Sequence, residues 1–234
     1  MFPLRDENPT SSQPVATLTI IVLCALSWAL LQGFGNSQSL AHSLCSFGMI
    51  PAKLFALIPK GTRVPVGGDM YCVMEGQRGI YTIISHMFMH GGWFHLIGNM
   101  WFLWIFGDNV EDSMGPFRFA IFYILCGLVA AGTQLITDTS SALPMVGASG
   151  AIGGVMGGYG RLYPHAKVHT LLILGFLFTT VSMPAYVMLG YWFLLQLIGG
   201  IPSLSAAGGG VAFWAHVGGF AAGFVLVTLF RKSR

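Results

Sequence analysis

Six long runs of this chain are almost free of Asp, Glu, Lys and Arg: approximately residues 15–34, 83–106, 117–137, 145–163, 184–201 and 211–230. A helix must supply roughly 20 apolar residues to cross a hydrocarbon layer about 30 Å thick, and each run is near that length. Only 8% of the residues are charged, against about 25% in soluble domains. The reading is an all-α fold, a polytopic membrane bundle of six helices. The first run follows Arg5, Asp6, Glu7 and two prolines and is longer than the apolar part of a cleaved export signal, so it is read as a retained span. Residues 1–14 then form a short N-terminal segment, and 15–231 a single membrane domain.

Six spans place both termini on one side. That side carries Arg5, Arg118, Arg161, Lys167, Arg231, Lys232 and Arg234, while Lys53, Lys60, Arg63 and Arg78 fall in one long loop on the other. Positive charge concentrates on the cytoplasmic side, so both termini are expected there. The formal charge of +3 is therefore a topology signal. No basic patch interleaved with aromatics points to nucleic acid; the partners expected are the lipid bilayer and other membrane proteins.

The long connector, about residues 35–82, mixes Pro51, Pro59 and Pro65 with apolar pieces such as MIPAKLFALIP. It reads as a folded external loop lying on or dipping into the membrane surface. Cys45 and Cys72 both fall in it, and a disulfide between them and a pair of free thiols are equally compatible with the sequence. Leu171 to Phe178 is apolar but too short to span, and is expected at the interface. Asp108, Glu111 and Asp112, in GDNVEDSMG, are expected to cap the second span and turn the chain. Of 32 glycines, many crowd the fourth run and the start of the sixth. Gly150 with Gly154, and Gly219 with Gly223, recur at four-residue spacing, so each pair shares a helix face where another backbone can approach.

The second and fourth runs are interrupted by His, Asn and Ser, and lipid-exposed helices cannot carry such groups outward. Runs two, four and six all begin on the same side. His90, His95 and Asn99, Ser149, and His216 therefore lie in one shallow layer. Taken singly, a serine among glycines is a packing motif and a buried histidine a satisfied hydrogen-bonding group; five polar residues converging from three helices are a site. Serine becomes nucleophilic when a neighbouring base takes its proton, and histidine suits that task near neutral pH. A glycine-rich helix start leaves N–H groups free to stabilise an oxyanion, and His95 and Asn99, four apart on one face, can add side-chain donors. No carboxylate lies at this depth in runs four or six, so the chemistry read is a Ser/His dyad of Ser149 and His216.

With these residues in place, the chain resembles the rhomboid intramembrane serine proteases over nearly its whole length. HGGWFHLIGN at 90–99 is similar to that family's second-span motif, GASG at 147–150 to its nucleophile motif, and AHVGG at 215–219 to the span bearing its histidine. The resemblance implies Ser149 as nucleophile, His216 as base, and His95, Asn99 and the Ser149 amide as oxyanion donors. Gly147 and Gly150 would support the nucleophile turn, and His90 would help retain water or hold the external loop. It further implies a rhomboid-like six-helix bundle with a long loop between its first two helices, no cofactor and no metal, and cleavage of transmembrane proteins near the extracytoplasmic face. The compact form suits a prokaryotic inner membrane.

Two positions depart from the pattern. Tyr81-Thr82 stands where many members carry Trp-Arg, and Gly153 stands where many place an aromatic beside the catalytic histidine. The expectation is that Trp214 or Phe213 orients His216 instead. A transporter is set aside, since the spans show no repeat pairing and no buried carboxylate for ion coupling, and two other functions are weighed. His86, His90 and His95 loosely resemble zinc-ligand spacing, without HExxH or a nearby carboxylate. A rhomboid-like protein that escorts membrane clients without cutting them is the other alternative, although such relatives usually lack the serine or the histidine.

Overall fold

The computed structural model describes residues 1–67, 70–76, 78–203 and 211–232; Arg234, counted above with the cytoplasmic charges, lies outside them. The described chain is mostly helical. A short strand β1 (Phe2–Asp6) is followed by α1 (Val15–Leu30), α2 (Ser37–Phe47), α3 (Pro51–Leu54), β2 (Arg63–Gly67), β3 (Met70–Val73) and α4 (Thr82–Ser85). The rest is α5 (Trp93–Met114), α6 (Pro116–Thr137), α7 (Ser149–Leu162), β4 (Lys167–Leu174), β5 (Leu177–Pro184), α8 (Ala185–Ser203) and α9 (Phe213–Phe230). The six longest of these helices, α1 and α5 to α9, each overlap one of the six apolar runs; α5 starts inside run two and continues past its end to Met114. By length and composition α6, α8 and α9 can each cross a membrane, and α1 is apolar but shorter. Helix α7 is about 21 Å long at 1.5 Å per residue, and every residue from Gly150 to Tyr159 is buried. It is the centre of the bundle and faces protein on all sides.

Two apolar runs are not helical from end to end. Run two is divided into α4, a 3-10 turn (His86–Phe88) and α5, because Met89 is extended and the Gly91-Gly92 pair follows, with Gly92 at φ 165°. Glycine holds a helix poorly, so the break falls there. Run four becomes helical at Ser149 and not at 145. Met145 exchanges both backbone hydrogen bonds with Met49 (2.9 and 2.8 Å), which keeps it extended, and Gly147 at φ +125° cannot be a helical residue.

The all-α expectation is corrected by two small sheets. One has the order β1-β4-β5, the other pairs β2 with β3. The segment 167–184 is rich in β-branched and aromatic residues and carries Gly175 at φ +63° as the first of two turn residues. Two-residue hairpins require a positive φ there, so Leu171 to Phe178 forms the end of a hairpin. Strand β1 lies along α5: Trp101 Nε1 donates to the Pro3 carbonyl at 2.7 Å, and the Phe2 ring stacks 5.8 Å from Trp101. Next to the sheet, His169 Nε2 donates to Glu7 Oε1 at 2.6 Å and holds Glu7 below the ordinary carboxylate range.

The carboxylates of GDNVEDSMG do not cap α5. Glu111 is buried and accepts the Ala16 and Thr17 N–H groups at 2.8 and 2.7 Å, two of the amides that the start of α1 leaves without intrahelical acceptors. Asp112 accepts from Ser11 and Ser12 in the approach to α1. Between α1 and α4 the connector is folded around a small core of Ile50, Val64, Cys72 and Met74. A disulfide joins Cys45 on α2 to Cys72 on β3, which resolves the choice the sequence left open.

Helices α7 and α9 touch backbone to backbone. A Cβ added to Gly219 would collide with the Gly150 carbonyl, one on Gly223 with the Gly154 carbonyl, and one on Gly157 with the Phe220 carbonyl. The glycine pairs read from spacing are thus the contact face of these two helices. Forcing a side chain into such a contact costs about 1–3 kcal/mol or more. Gly223→Val is therefore expected to lower the thermal unfolding midpoint in detergent sharply. Gly132→Ala on α6, where a Cβ meets nothing within 4 Å, should leave it unchanged.

Candidate active site

Ser149 is the first helical residue of α7, and its position is built by the backbone before it. The Met49–Met145 bridge fixes the approach, and the Gly147 N–H donates to the His86 carbonyl at 2.9 Å. The first amide of this helix to find an intrahelical acceptor is that of Ile152, which donates to the Ala148 carbonyl at 2.9 Å. The amides of Ser149, Gly150 and Ala151 therefore remain as free donors at the helix start.

His216 stands in the first turn of α9. Its Nε2 lies 2.8 Å from Ser149 Oγ, and its Nδ1 lies 2.8 Å from Gln196 Oε1 on α8. Gln196 is buried, and its Nε2 donates to the Trp192 carbonyl at 3.1 Å. The Trp192 indole sits beside the imidazole, with ring centroids 5.8 Å apart and planes tilted by 39°.

His95 enters from α5. The Gly91 N–H donates to its Nδ1 at 3.2 Å, which assigns the proton of a neutral ring to Nε2. A Cβ on Gly147 would lie 2.7 Å from that Nε2 and 3.5 Å from Ser149 Oγ, so both atoms border one small space. Asn99 is turned back along its own helix, Nδ2 donating to the His95 carbonyl at 2.8 Å. His90 lies behind His95, with ring centroids 5.2 Å apart. Its backbone N–H and carbonyl are both held by the side-chain amide of Gln32, at 2.9 and 2.7 Å, which ties this loop to the end of α1. His86 is turned away, Nδ1 donating to the Thr82 carbonyl at 2.9 Å, and no group of three or more metal-type side chains converges among the described residues.

A cavity of about 210 Å³ opens beside these residues, lined by Phe94, His95, Asn99, Phe102, Ser149, Trp192 and His216 among others. A larger cavity, about 430 Å³, lies between α2 and β3 around His42, Lys53 and Glu75. It brings no nucleophile to a base, so the smaller cavity is the candidate site.

Residues 77–233 match the family profile of the Rhomboid domain. The chain belongs to the rhomboid family. RHOMBOID-like protein 5 of Arabidopsis thaliana is 31% identical over 155 residues, which cover 66% of this chain and 44% of that protein. RHOMBOID-like protein 4 of the same plant is 30% identical over 161 residues, covering 68% and 36%. A relative named Inactive RHOMBOID-like protein 8 is 26% identical over 178 residues, covering 70% and 49%. The chain spans less than half the length of each of these relatives.

This rhomboid takes the aromatic neighbour of its α9 histidine from α8. A Cβ on Gly153 would lie 3.1 Å from the His216 carbonyl and 3.7 Å from the Trp192 ring, so the space a larger residue would need is already filled. Trp214 and Phe213 do not orient the ring. Trp214 Nε1 donates to the Gly200 carbonyl at 3.1 Å, and Phe213 packs on Gly199. Sequence reasoning missed Gln196 and Trp192. A signal was present for Gln196: it is an uncharged amide alone among the apolar residues of 184–201, and polar groups in such helices face the interior. Trp192 carried none, since Trp is at home anywhere in an apolar helix. Gly147 is required twice, by its φ of +125° and by the His95 ring packed on it. Gly147→Ala should therefore cost about 1–3 kcal/mol in equilibrium unfolding, while Gly190→Ala on α8, with open space around it, should cost less than about 0.5 kcal/mol.

Proposed function

We propose that this rhomboid is an intramembrane serine endopeptidase that cleaves transmembrane segments by a Ser149–His216 dyad. The single observation that carries the reading is the 2.8 Å approach of Ser149 Oγ to His216 Nε2, on two helices locked together by glycine. In this reading α1, α5, α6, α7, α8 and α9 are six spans, both termini are cytoplasmic, and the cavity opens toward the extracytoplasmic side. The connector between α1 and α5 is then the external loop.

A substrate helix enters laterally, unwinds locally and presents a carbonyl carbon to Ser149 Oγ. His216 Nε2 takes the hydroxyl proton as the Oγ–C bond forms. The oxyanion is met by the backbone N–H of Ser149, by His95 Nε2–H, and by the Asn99 amide once it turns from the His95 carbonyl; Gly147 keeps that space open, while Gly150 supports the nucleophile by letting α7 pack on Ala130 of α6. His216 gives its proton to the leaving amine as the C–N bond breaks. Water then attacks the acyl-enzyme, its proton passing through His216 back to Ser149. His90 supports the site from behind, by packing against His95 and by tying its loop to Gln32. No step needs a metal or cofactor.

Retention of both Ser149 and His216, in hydrogen-bonding reach, favours proteolysis over a client-escort role. In liposomes carrying a single-span model substrate, Ser149→Ala and His216→Ala are expected to abolish cleavage, and Asn99→Ala to lower it about 10²–10³-fold. Undiminished cleavage by purified Ser149→Ala would refute the assignment.

A further inference from the structure

We propose that Gln196 is the positioning residue for His216, so that the dyad works as a Ser149–His216–Gln196 relay built without a charged member. The inference rests on the function proposed above and adds a third residue to that site.

The direction of every hydrogen bond in the relay follows from one fixed point, a backbone carbonyl. The Trp192 carbonyl can only accept, so the end of the Gln196 amide 3.1 Å from it is the NH₂ group. That leaves Oε1 as the end facing His216, 2.8 Å from Nδ1. An acceptor there requires a proton on Nδ1. A neutral imidazole carries one N–H, so Nε2 is bare and accepts the Ser149 hydroxyl at 2.8 Å. This is the tautomer a general base needs. A ring with the proton on Nε2 would present a donor to Ser149 and could not take its proton.

Carboxylates do this in soluble serine hydrolases, holding the ring and also stabilising the imidazolium. A carboxylate in a buried, lipid-surrounded helix carries a heavy desolvation cost, which an amide avoids. Among the described residues the other titratable side chain facing His216 is His95 on α5; α7 and α8 bring none to the ring. The relay therefore sets the tautomer without adding charge. Trp192 is one turn before Gln196 on α8 and flanks the same ring, so a single helix face supplies both the acceptor and the stacking neighbour.

A merely structural glutamine would bridge α8 and α9 and affect stability alone, which separates the two roles. In the full chain, Gln196→Leu is expected to lower kcat about 10- to 10²-fold, with KM and the unfolding midpoint unchanged. The rate at which a fluorophosphonate labels Ser149 should fall by the same factor. Gln196→Glu keeps an acceptor; an added carboxylate favours the imidazolium, so activity should persist with the acid limb of the kcat profile moved to higher pH. Nitrogen-15 NMR of histidine-labelled protein, with His216 assigned by its loss in His216→Ala, should show the Nδ1–H tautomer in the wild type and a mixture in Gln196→Leu.

Three results would overturn the proposal: kcat within twofold of wild type for Gln196→Leu while Ser149→Ala is inactive; activity lost only in proportion to a fallen unfolding midpoint; or an Nε2–H tautomer in the wild type. The NMR readout needs no substrate. It decides the role of Gln196 even if Ser149→Ala were found to cleave, an outcome that would sink the proposed function alone.

Discussion

The contact between α7 and α9 is the constraint on which the rest of the molecule is arranged. A serine side chain is short, so its hydroxyl can reach an imidazole on another helix only if the two backbones come closer than the usual 8–10 Å between helix axes. Gly150, Gly154 and Gly157 on one side and Gly219 and Gly223 on the other remove the side chains that would hold them apart. Each glycine costs a helix about 1 kcal/mol relative to alanine. The loss is offset by close packing on every side: Ala130 and Cys126 of α6 fill the space against Gly150 and Gly154, and Thr133 seats on Gly218. A helix so poor in side chains holds its shape because it is enclosed.

Around the serine, irregular backbone is satisfied by more backbone. Met49 and Met145 pair as a two-residue bridge, Gly147 donates to the His86 carbonyl, and the Gln32 amide takes both main-chain groups of His90. Non-helical chain within a membrane bundle has to meet its hydrogen bonds inside the protein. The folded connector between α1 and α4 thus has a mechanical role at the start of α7, since Met49 belongs to it. The disulfide and the small core around Ile50 and Val64 give that connector a shape of its own, from which Met49 can be presented.

Much of this was legible in the residues. Apolar runs located the six main helices, because absence of charge over such lengths has few other causes. Four-residue glycine spacing located the face between α7 and α9, and Ser149, His216, His95 and Asn99, read together from the sequence, line one cavity. What was not legible depended on contacts distant in sequence. The start of α7 is set by Met49, almost a hundred residues away, and Glu111 reaches to α1 instead of its own helix end. The hairpin of 167–184 was hidden because an apolar run of that length reads equally well as interfacial helix or strand. Gln196 stands out in the sequence as a lone amide, but its partner His216 lies on another helix 20 residues on, a contact that spacing along the chain does not reveal.

Glu111 also bears on how the chain is put together during synthesis. It lies 95 residues after Ala16, whose N–H it accepts. At about 5–20 residues per second, roughly 5–20 s pass between the ribosome making the start of α1 and making the carboxylate that receives it. Through that interval the two amides are without the acceptor they have in the folded protein. Those two amides gain their protein acceptor only when α5 lies against α1, so the start of α1 is completed by a residue made long after it.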